Sequence, residues 1–513
     1  MMASNETPKE ILLISIQKNL SALGLKYVHY YLLDKGWHSH LLHLPYFDPN
    51  NLNLLENLQS FVSKTAPIFI GLSLMSHEYD CACDLSNYLK KHFLSIPIIW
   101  GGIHPTIDQE SCFPFADYVC VGEGEKVAID VANAIVSGQN VNKVLSLCYR
   151  EDGQMVKNPL SPRFDNLDDI PFFDHVPKNS FLQKADGTIS IIDKKLLRQE
   201  ARYQGRMYEL MTSRGCAFSC TYCCNNFLSQ LYDSKKIRRR SIDNIMAELV
   251  NAIEHNPEIS VVHFQDDSFL ACSRKYLEDF CVAYRNRIRT PFIIHTMPIY
   301  VTRNKLRLLN ECGISWLNMG LQSGSDRVNK DIYNRGSTKD HFLRAAELVK
   351  EFKIAGKYDV ILDNPFENEC DRIETIETLI QIPKPYLLEF YSLAYYPGTE
   401  LYKKAIQECP EEMESVYKKD YKRTMPNTLN ELTALAIYLP GKFIKLLLFL
   451  YKGNTDRNYN FKIAFSICRI FLMPYYKFKT LFKVLKLANR GSYIKTIMSV
   501  PMYFTEMVFK KNI

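Results

Sequence analysis

The chain has 513 residues, 47% hydrophobic and 23% charged, which allows two or three domains of ordinary globular composition. Its fifteen cysteines follow a start, Met1-Met2-Ala3-Ser4-Asn5-Glu6, without the basic and then apolar regions of a secretory signal, so a disulfide-stapled secreted fold is not expected and a reducing cytosol is. The net charge of +7 is uneven: residues 441–513 hold 14 Lys/Arg against two acids, which leaves −5 for the rest, and no recognition motif makes nucleic acid an expected partner.

Residues 9–138 alternate short apolar runs with helical patterns. Strands are predicted at 11–16, 40–44, 67–73, 96–100 and 117–121, with helical patterns between them, as over 20–33 and 79–93. Five such repeats predict an α/β domain with a doubly wound parallel sheet, covered on both faces and binding ligands at the carboxyl ends of its strands. Small residues stand at those ends: Ser73, Gly101 with Gly102, and Gly122-Glu123-Gly124. They let a ligand approach the backbone closely. His104 follows Gly102, and a loop histidine bonded to backbone is the plainer reading beside metal ligation. On these residues alone, a nucleotide or another small molecule fits the domain equally well.

Residues 145–205 read as a connector. A strand at 145–150 and a turn at 151–154 precede a polar stretch with Pro159, Pro162, Pro171 and Pro177, expected as an extended strap between two domains. From Tyr208 the period returns. Strands are predicted at 208–212, 260–264, 292–295, 316–320, 358–362 and 388–392, with helices including 241–255, 274–287 and 339–352. Six strand–helix units predict an open (β/α)6 partial TIM barrel with its chemistry at the carboxyl ends of the strands.

Directly after the first of these strands stands Cys216-Ala217-Phe218-Ser219-Cys220-Thr221-Tyr222-Cys223. Thiolates bind soft centres, above all iron–sulfur clusters and zinc. Structural zinc takes four protein ligands, and Cys224, adjacent to Cys223, is expected to point away. Three converging thiols therefore suggest a cubane with one iron left open. At the next strand ends, Asp266 and Asp267 can accept from ammonium or hydroxyl groups, or cap the following helix. Gln322 and Ser323 end the fourth strand, Asp363-Asn364-Pro365-Phe366-Glu367 the fifth, and Tyr395-Tyr396-Pro397-Gly398 the sixth.

Past about residue 420 the chain turns to Leu, Ile, Phe, Tyr and Lys at helical spacing, over 429–450 and 461–503. The longest apolar run, 446–451, is far short of the ~20 residues a spanning helix requires. Two readings stay open: a helical lid on the barrel with its lysines in water, or basic amphipathic helices lying on an anionic bilayer. The same apolar character hints at a hydrophobic or lipid substrate. The expected layout is a sheet domain over 1–144, the connector over 145–205, the barrel over 206–410 and a helical region over 411–513.

The cysteine spacing, with Tyr222 before the last thiol, resembles the radical S-adenosylmethionine (radical SAM) superfamily. The pieces Gly71-Leu72-Ser73, Gly101-Gly102-Ile103-His104-Pro105-Thr106 and Val121-Gly122-Glu123-Gly124-Glu125 resemble the cobalamin-binding domain ahead of many radical SAM cores. The resemblance implies that Cys216, Cys220 and Cys223 hold a [4Fe-4S] cluster whose open iron takes SAM, close to Tyr222. It implies that Asp266 and Asp267 approach the methionine amino group, and that Gln322, where the family often has Glu, reaches the ribose while Ser323 reaches a carboxylate. Ser73, Gly101, Gly102, His104, Gly122, Glu123 and Gly124 would line cobalamin. The Asp-x-His-x-x-Gly signature is absent, so the implied binding lacks a protein histidine below cobalt; Asp363-Asn364-Pro365 also departs from the family's Gly-x-Pro-Gly-Glu. The implied reaction is reductive cleavage of SAM to a 5′-deoxyadenosyl radical, hydrogen abstraction from an unactivated carbon and methyl delivery from methylcobalamin. An external donor such as flavodoxin or ferredoxin supplies the electron. The rivals are a cyclase or rearranging enzyme with the same cofactors, a methylthiotransferase with a second cysteine trio, and a zinc- or cluster-stabilised binding protein. For the first of these readings the carboxyl ends of the sheet have to face the barrel mouth.

Overall fold

The computed structural model describes residues 9–411, 421–452 and 459–492, together with residue 495. Five parallel strands form the middle of the N-terminal sheet: β1 (Glu10–Ser15), β2 (His38–His43), β3 (Ile70–Ser73), β4 (Ile98–Gly101) and β5 (Tyr118–Cys120). They lie in the order β5-β4-β3-β1-β2, with Ser15 opposite Ser73 in the register of β1 on β3. Buried runs such as Ile11–Ile14 explain why these strands are central: they are apolar toward both faces. The order reverses between β1 and β3, and such a switch point opens a crevice at the carboxyl ends.

The connector departs from an extended strap. It supplies β6 (Leu147–Glu151), β7 (Gln154–Lys157), β8 (Ser180–Gln183) and β9 (Ile189–Ile191), and the full sheet runs β7-β6-β5-β4-β3-β1-β2-β8-β9. A strand with an unpaired edge invites foreign pairing, and these short segments cover both edges.

The second sheet is all parallel: β10 (Met207–Leu210), then β13 (Val261–Phe264), β14 (Phe292–Thr296), β15 (Ile314–Gln322), β16 (Ala355–Leu362) and β17 (Leu387–Ser392) in that order. A small hairpin, β11 (Ser213–Arg214) with β12 (Arg238–Arg239), rises from the end of β10. Each crossover helix before the next strand starts from a side-chain cap. Ser241, Ser273, Thr302, Thr338 and Asn368 each accept a backbone N–H from the first turn, as Thr399 does for the helix after β17. These six strands followed by capped helices are the open (β/α)6 barrel.

Inside the barrel the layers differ. Met207, Ile293, Trp316 and Ala355 form an apolar floor with Val261 and Leu387, sealed from below by Leu481, Val484, Leu485 and Ala488 of the helix Met473–Ala488. This helix therefore stops the amino ends of the strands, opposite the mouth, while Tyr421 and Asn430 lie at the carboxyl ends, against Tyr391 and Asp363. Two residues higher on each strand, hence on the same face, stand Glu209, His263, His295, Asn318, Lys357 and Glu389. Closed barrels fill this layer with Val, Ile and Leu; here all six are polar. Among the described residues no helix is long and apolar enough to cross a membrane.

Candidate active site

Three thiols converge at the mouth because their loop is pinned at both ends. Gly215 takes φ +103°, and a side chain there would press on the Lys236 carbonyl. Thr221 donates N–H to the Tyr333 carbonyl (3.0 Å) and its hydroxyl to the Ile332 carbonyl (2.6 Å), while Asn334 reaches the Ser219 carbonyl (3.1 Å). Phe218 packs against Gly336, where a Cβ would collide with its ring. Cys223 stands at the N-cap position of the helix Cys224–Leu231, where its carbonyl accepts the Asn226 N–H at 3.2 Å.

Burial pushes the Cys216 thiol up to about 11 and also raises Cys220, against the Arg335 charge that pulls Cys220 down; each of the three thiols lies within electrostatic reach of its fellows. Cys224 does not turn away as expected. Its thiol stays within electrostatic reach of that of Cys223, because the chain turns from extended to helical backbone between them. No three His, Cys, Asp or Glu side chains among the described residues meet at a single ion. A cubane spreads three cysteines over three irons, and a trio of grouped thiols beside a cation fits that donor set.

Around the thiols the predicted residues separate. Tyr222 is packed edge-on to Tyr333 and accepts from Arg335 Nη1 at 2.6 Å. Asp266 is buried and spent on the loop: it accepts from Thr212 Oγ1 (2.9 Å), from the Thr212 N–H (3.2 Å) and from the Ser213 hydroxyl. It does not cap the following helix, a role Ser273 fills. Asp267 does face the mouth, held by Asn225 Nδ2 at 2.8 Å, with its carboxyl lifted to about 6 by desolvation.

Gln322 takes φ +64° at the bulge ending β15. Its side chain folds over Gly320, and its buried Oε1 has no protein partner, as a cosubstrate hydroxyl would require. Ser323 is correct in chemistry and wrong in target. Its hydroxyl donates to Glu367 (2.9 Å) in a closed network with Thr375 and is fully buried. Asp363 takes φ +58°, a glycine-like conformation, and binds Met425 N (2.9 Å) and Asn430 Nδ2 (2.7 Å), tying the tail to β16.

Two residues escaped the sequence reading. Arg335, 9% exposed, also donates to the Gly320 carbonyl (2.9 Å), and its Nε has no partner. Asp359 projects into the barrel from β16 with its carboxyl raised to about 7 by burial. The only signal was an acid in the middle of an otherwise apolar predicted strand.

The carboxyl ends of the N-terminal sheet face this mouth. The Glu123 carboxylate pairs with Arg238, beside β11, and stands 3.6 Å from Arg214 Nη1; Glu125 accepts from Arg214 Nη2 at 2.6 Å. The Tyr232 hydroxyl accepts the Glu123 N–H of the same loop (3.1 Å) and fills the space a Gly122 side chain would need. Gly398 packs on the Ile107 carbonyl and Phe227. Glu123 and Gly122 thus join the domains. Glu123 is consumed by arginines and is not a free cobalamin contact.

Gly102, at φ +95°, abuts the Leu74 backbone and Ser73 Oγ, and Gly101 faces Cys120. Gly124 touches Val28. His104 is buried, with Nδ1 3.1 Å from Ser76 Oγ and Nε2 3.2 Å from Ser111 Oγ, and burial lowers its pKa to about 4. Both nitrogens are engaged, by hydroxyls and not by the backbone, so His104 is a core residue and no metal ligand. Ser73, Gly101 and Gly102 stand at the carboxyl ends of β3 and β4, where the missing Gly102 side chain lets the chain pack on Leu74 and Ser73.

A family model described as the radical SAM superfamily matches residues 210–379, and one described as a B12 binding domain matches residues 9–132. The chain is 23% identical over 360 residues to an uncharacterized methyltransferase of Pyrococcus horikoshii, covering 68% of this chain and 72% of that one. It is 20% identical over 385 residues to an anaerobic magnesium-protoporphyrin IX monomethyl ester cyclase of Synechocystis, covering 73% and 71%. Among solved structures, the cobalamin-dependent SAM radical enzyme OxsB with aqua-cobalamin and SAM bound superposes with a TM-score of 0.65 at 15% identity, over 99% of this chain and 82% of that one. The cysteine loop on a partial barrel, the sheet domain turned toward it and the two matched domains together make this chain a member of the radical SAM superfamily with an N-terminal B12-binding domain.

Proposed function

We propose that the chain is a cobalamin-dependent radical SAM methyltransferase acting on a carbon of a polar small molecule. The observation that carries this reading is the opposition of two carboxyl ends, sheet against barrel, across Glu123, Arg214 and Arg238. Only that arrangement lets two cofactors share one substrate. Cys216, Cys220 and Cys223 would hold the [4Fe-4S] cluster, and Gln322, Asp267 and Arg335 offer an unpartnered acceptor, a carboxylate and a cation to SAM. Bound cobalamin and SAM supply methyl-transfer and radical chemistry, while the protein positions them and excludes water.

The barrel interior supports a polar substrate over the lipid that the tail suggested. Glu389 and Lys357 both point inward and pair at 2.8 Å, yet keep 46% and 30% of their side chains exposed, so solvent reaches the barrel interior. Gln265 Nε2 donates to Glu209 (2.7 Å), His263 and His295 share an N···N contact of 2.8 Å, and Asn318 Oδ1 is left open. A hydrocarbon placed there would strand these groups. The electron would come from an external flavodoxin or ferredoxin.

A cyclase or rearranging enzyme with the same cofactors is the second reading, favoured by the similarity to the Synechocystis cyclase. For a methylthiotransferase there is less support. Its extra cysteine trio has no counterpart in Cys112, Cys120 and Cys148, which are buried in apolar packing with Cys83.

Reconstituted protein incubated with SAM, cobalamin and a low-potential reductant should form 5′-deoxyadenosine, and Cys220→Ala should lose both the product and about four irons per chain. An intact cluster that yields no 5′-deoxyadenosine rejects the radical reading. A product without an added methyl group selects the cyclase reading.

A further inference from the structure

Eighteen large apolar side chains are exposed among the described residues, and nine of them fall between residues 443 and 478. All five exposed aromatics of the eighteen are in that stretch: Phe443, Phe449, Phe471, Tyr475 and Phe478. Their spacing is helical. Phe443, Leu446 and Phe449 recur every three residues on the helix Gly441–Lys452, away from its buried Ile444, Leu447 and Leu448. Ile463, Ile467, Phe471, Tyr475 and Phe478 continue a second stripe along Tyr459–Ile467 and Met473–Ala488. The two helical segments touch through Tyr451 and Phe461.

The charge on these helices is basic, with Lys452 paired to Glu377 and Arg469 to Glu431 from neighbouring elements. Residues 441–452 and 459–492 contain ten Lys/Arg and no Asp or Glu. Lys442, Lys445, Lys462 and Lys477 are exposed among the apolar residues. An internal packing face would be screened from water, and a face for an ordinary protein partner is depleted in lysine. Aromatic and branched apolar side chains interleaved with lysines, on helices too short to span, match a bilayer interface.

We infer that the solvent face of helices Gly441–Lys452, Tyr459–Ile467 and Met473–Ala488 docks on an anionic lipid surface. The occupant is the bilayer headgroup region, not a lipid substrate: later turns of Met473–Ala488 seal the barrel floor, so docking leaves the mouth free. This inference stands apart from the reaction assigned above.

The test is sedimentation of the full-length protein with vesicles of phosphatidylcholine alone or with about one-third phosphatidylserine. Binding to the anionic vesicles should be at least ~10-fold stronger and should weaken in high salt. The pair Phe449→Glu and Phe471→Glu should lower it ~10-fold, and Lys442→Glu with Lys445→Glu should do the same, with melting temperature and 5′-deoxyadenosine yield unchanged. Equal binding to both vesicles, or none, overturns the inference. So does a concentration-dependent dimer that the phenylalanine substitutions dissolve, since a second copy would then be the occupant.

Discussion

Asp359 stands two residues above Lys357 on the inward face of β16, and burial lifts its pKa to about 7 from the 3.8 of a free aspartate. In the unfolded chain the carboxyl ionises near pH 4, whereas the folded barrel keeps its proton until near pH 7. Across that window the native state binds more protons, so rising pH costs stability. Asp359→Asn should therefore melt a few degrees above the parent at pH 8, with the gain gone at pH 4; an equal gain at both values would show that packing and not protonation is responsible. Residues of this kind were hard to read in the sequence. The hydroxyl partner of Arg335, Tyr222, lies 113 positions away, and such a pairing leaves no local trace. The cysteine trio was legible because all its ligands lie within one short loop. Ser323 and Asp266 were chosen for the right chemistry, and folding spent that chemistry on Glu367 and on Thr212 with Ser213.

Strands and helices of both sheets follow from periodicity, since each is decided within about ten residues. The connector does not. The pairing of β8 with β2 joins Leu41 to Ser180, and no pattern inside either strand announces it. Loops carry the same lesson at Gly122, where φ +88° and the Tyr232 hydroxyl both forbid a side chain. Gly122→Ala should cost roughly 1–3 kcal/mol from backbone strain and further from displacing Tyr232. Gly138→Ala is the control, because Gly138 has φ +66° but open space around its Cβ position. Urea melts of the two variants should differ, and identical losses would mean that the collision is relieved without cost.

Across its two domains the molecule is held by apolar packing of Tyr27 and Tyr30 into the barrel core and by a few buried charges. Glu123 faces Arg238 and Arg214, with Arg238 5% exposed. Removing one member of a buried pair strands the other, at about 3–5 kcal/mol. Glu123→Gln should loosen the domains, seen as faster proteolysis near the interface and a larger radius of gyration in solution scattering, while each domain keeps its own helix content. An unchanged radius would place the hold elsewhere, for example at Gly398 on Ile107.

The helix Met473–Ala488 makes the barrel a vessel with a corked bottom. Whatever enters to be transformed, and whatever leaves, passes the rim where the B12-binding domain rests. The arginines that fasten that domain, Arg214 and Arg238, therefore border the route of that traffic.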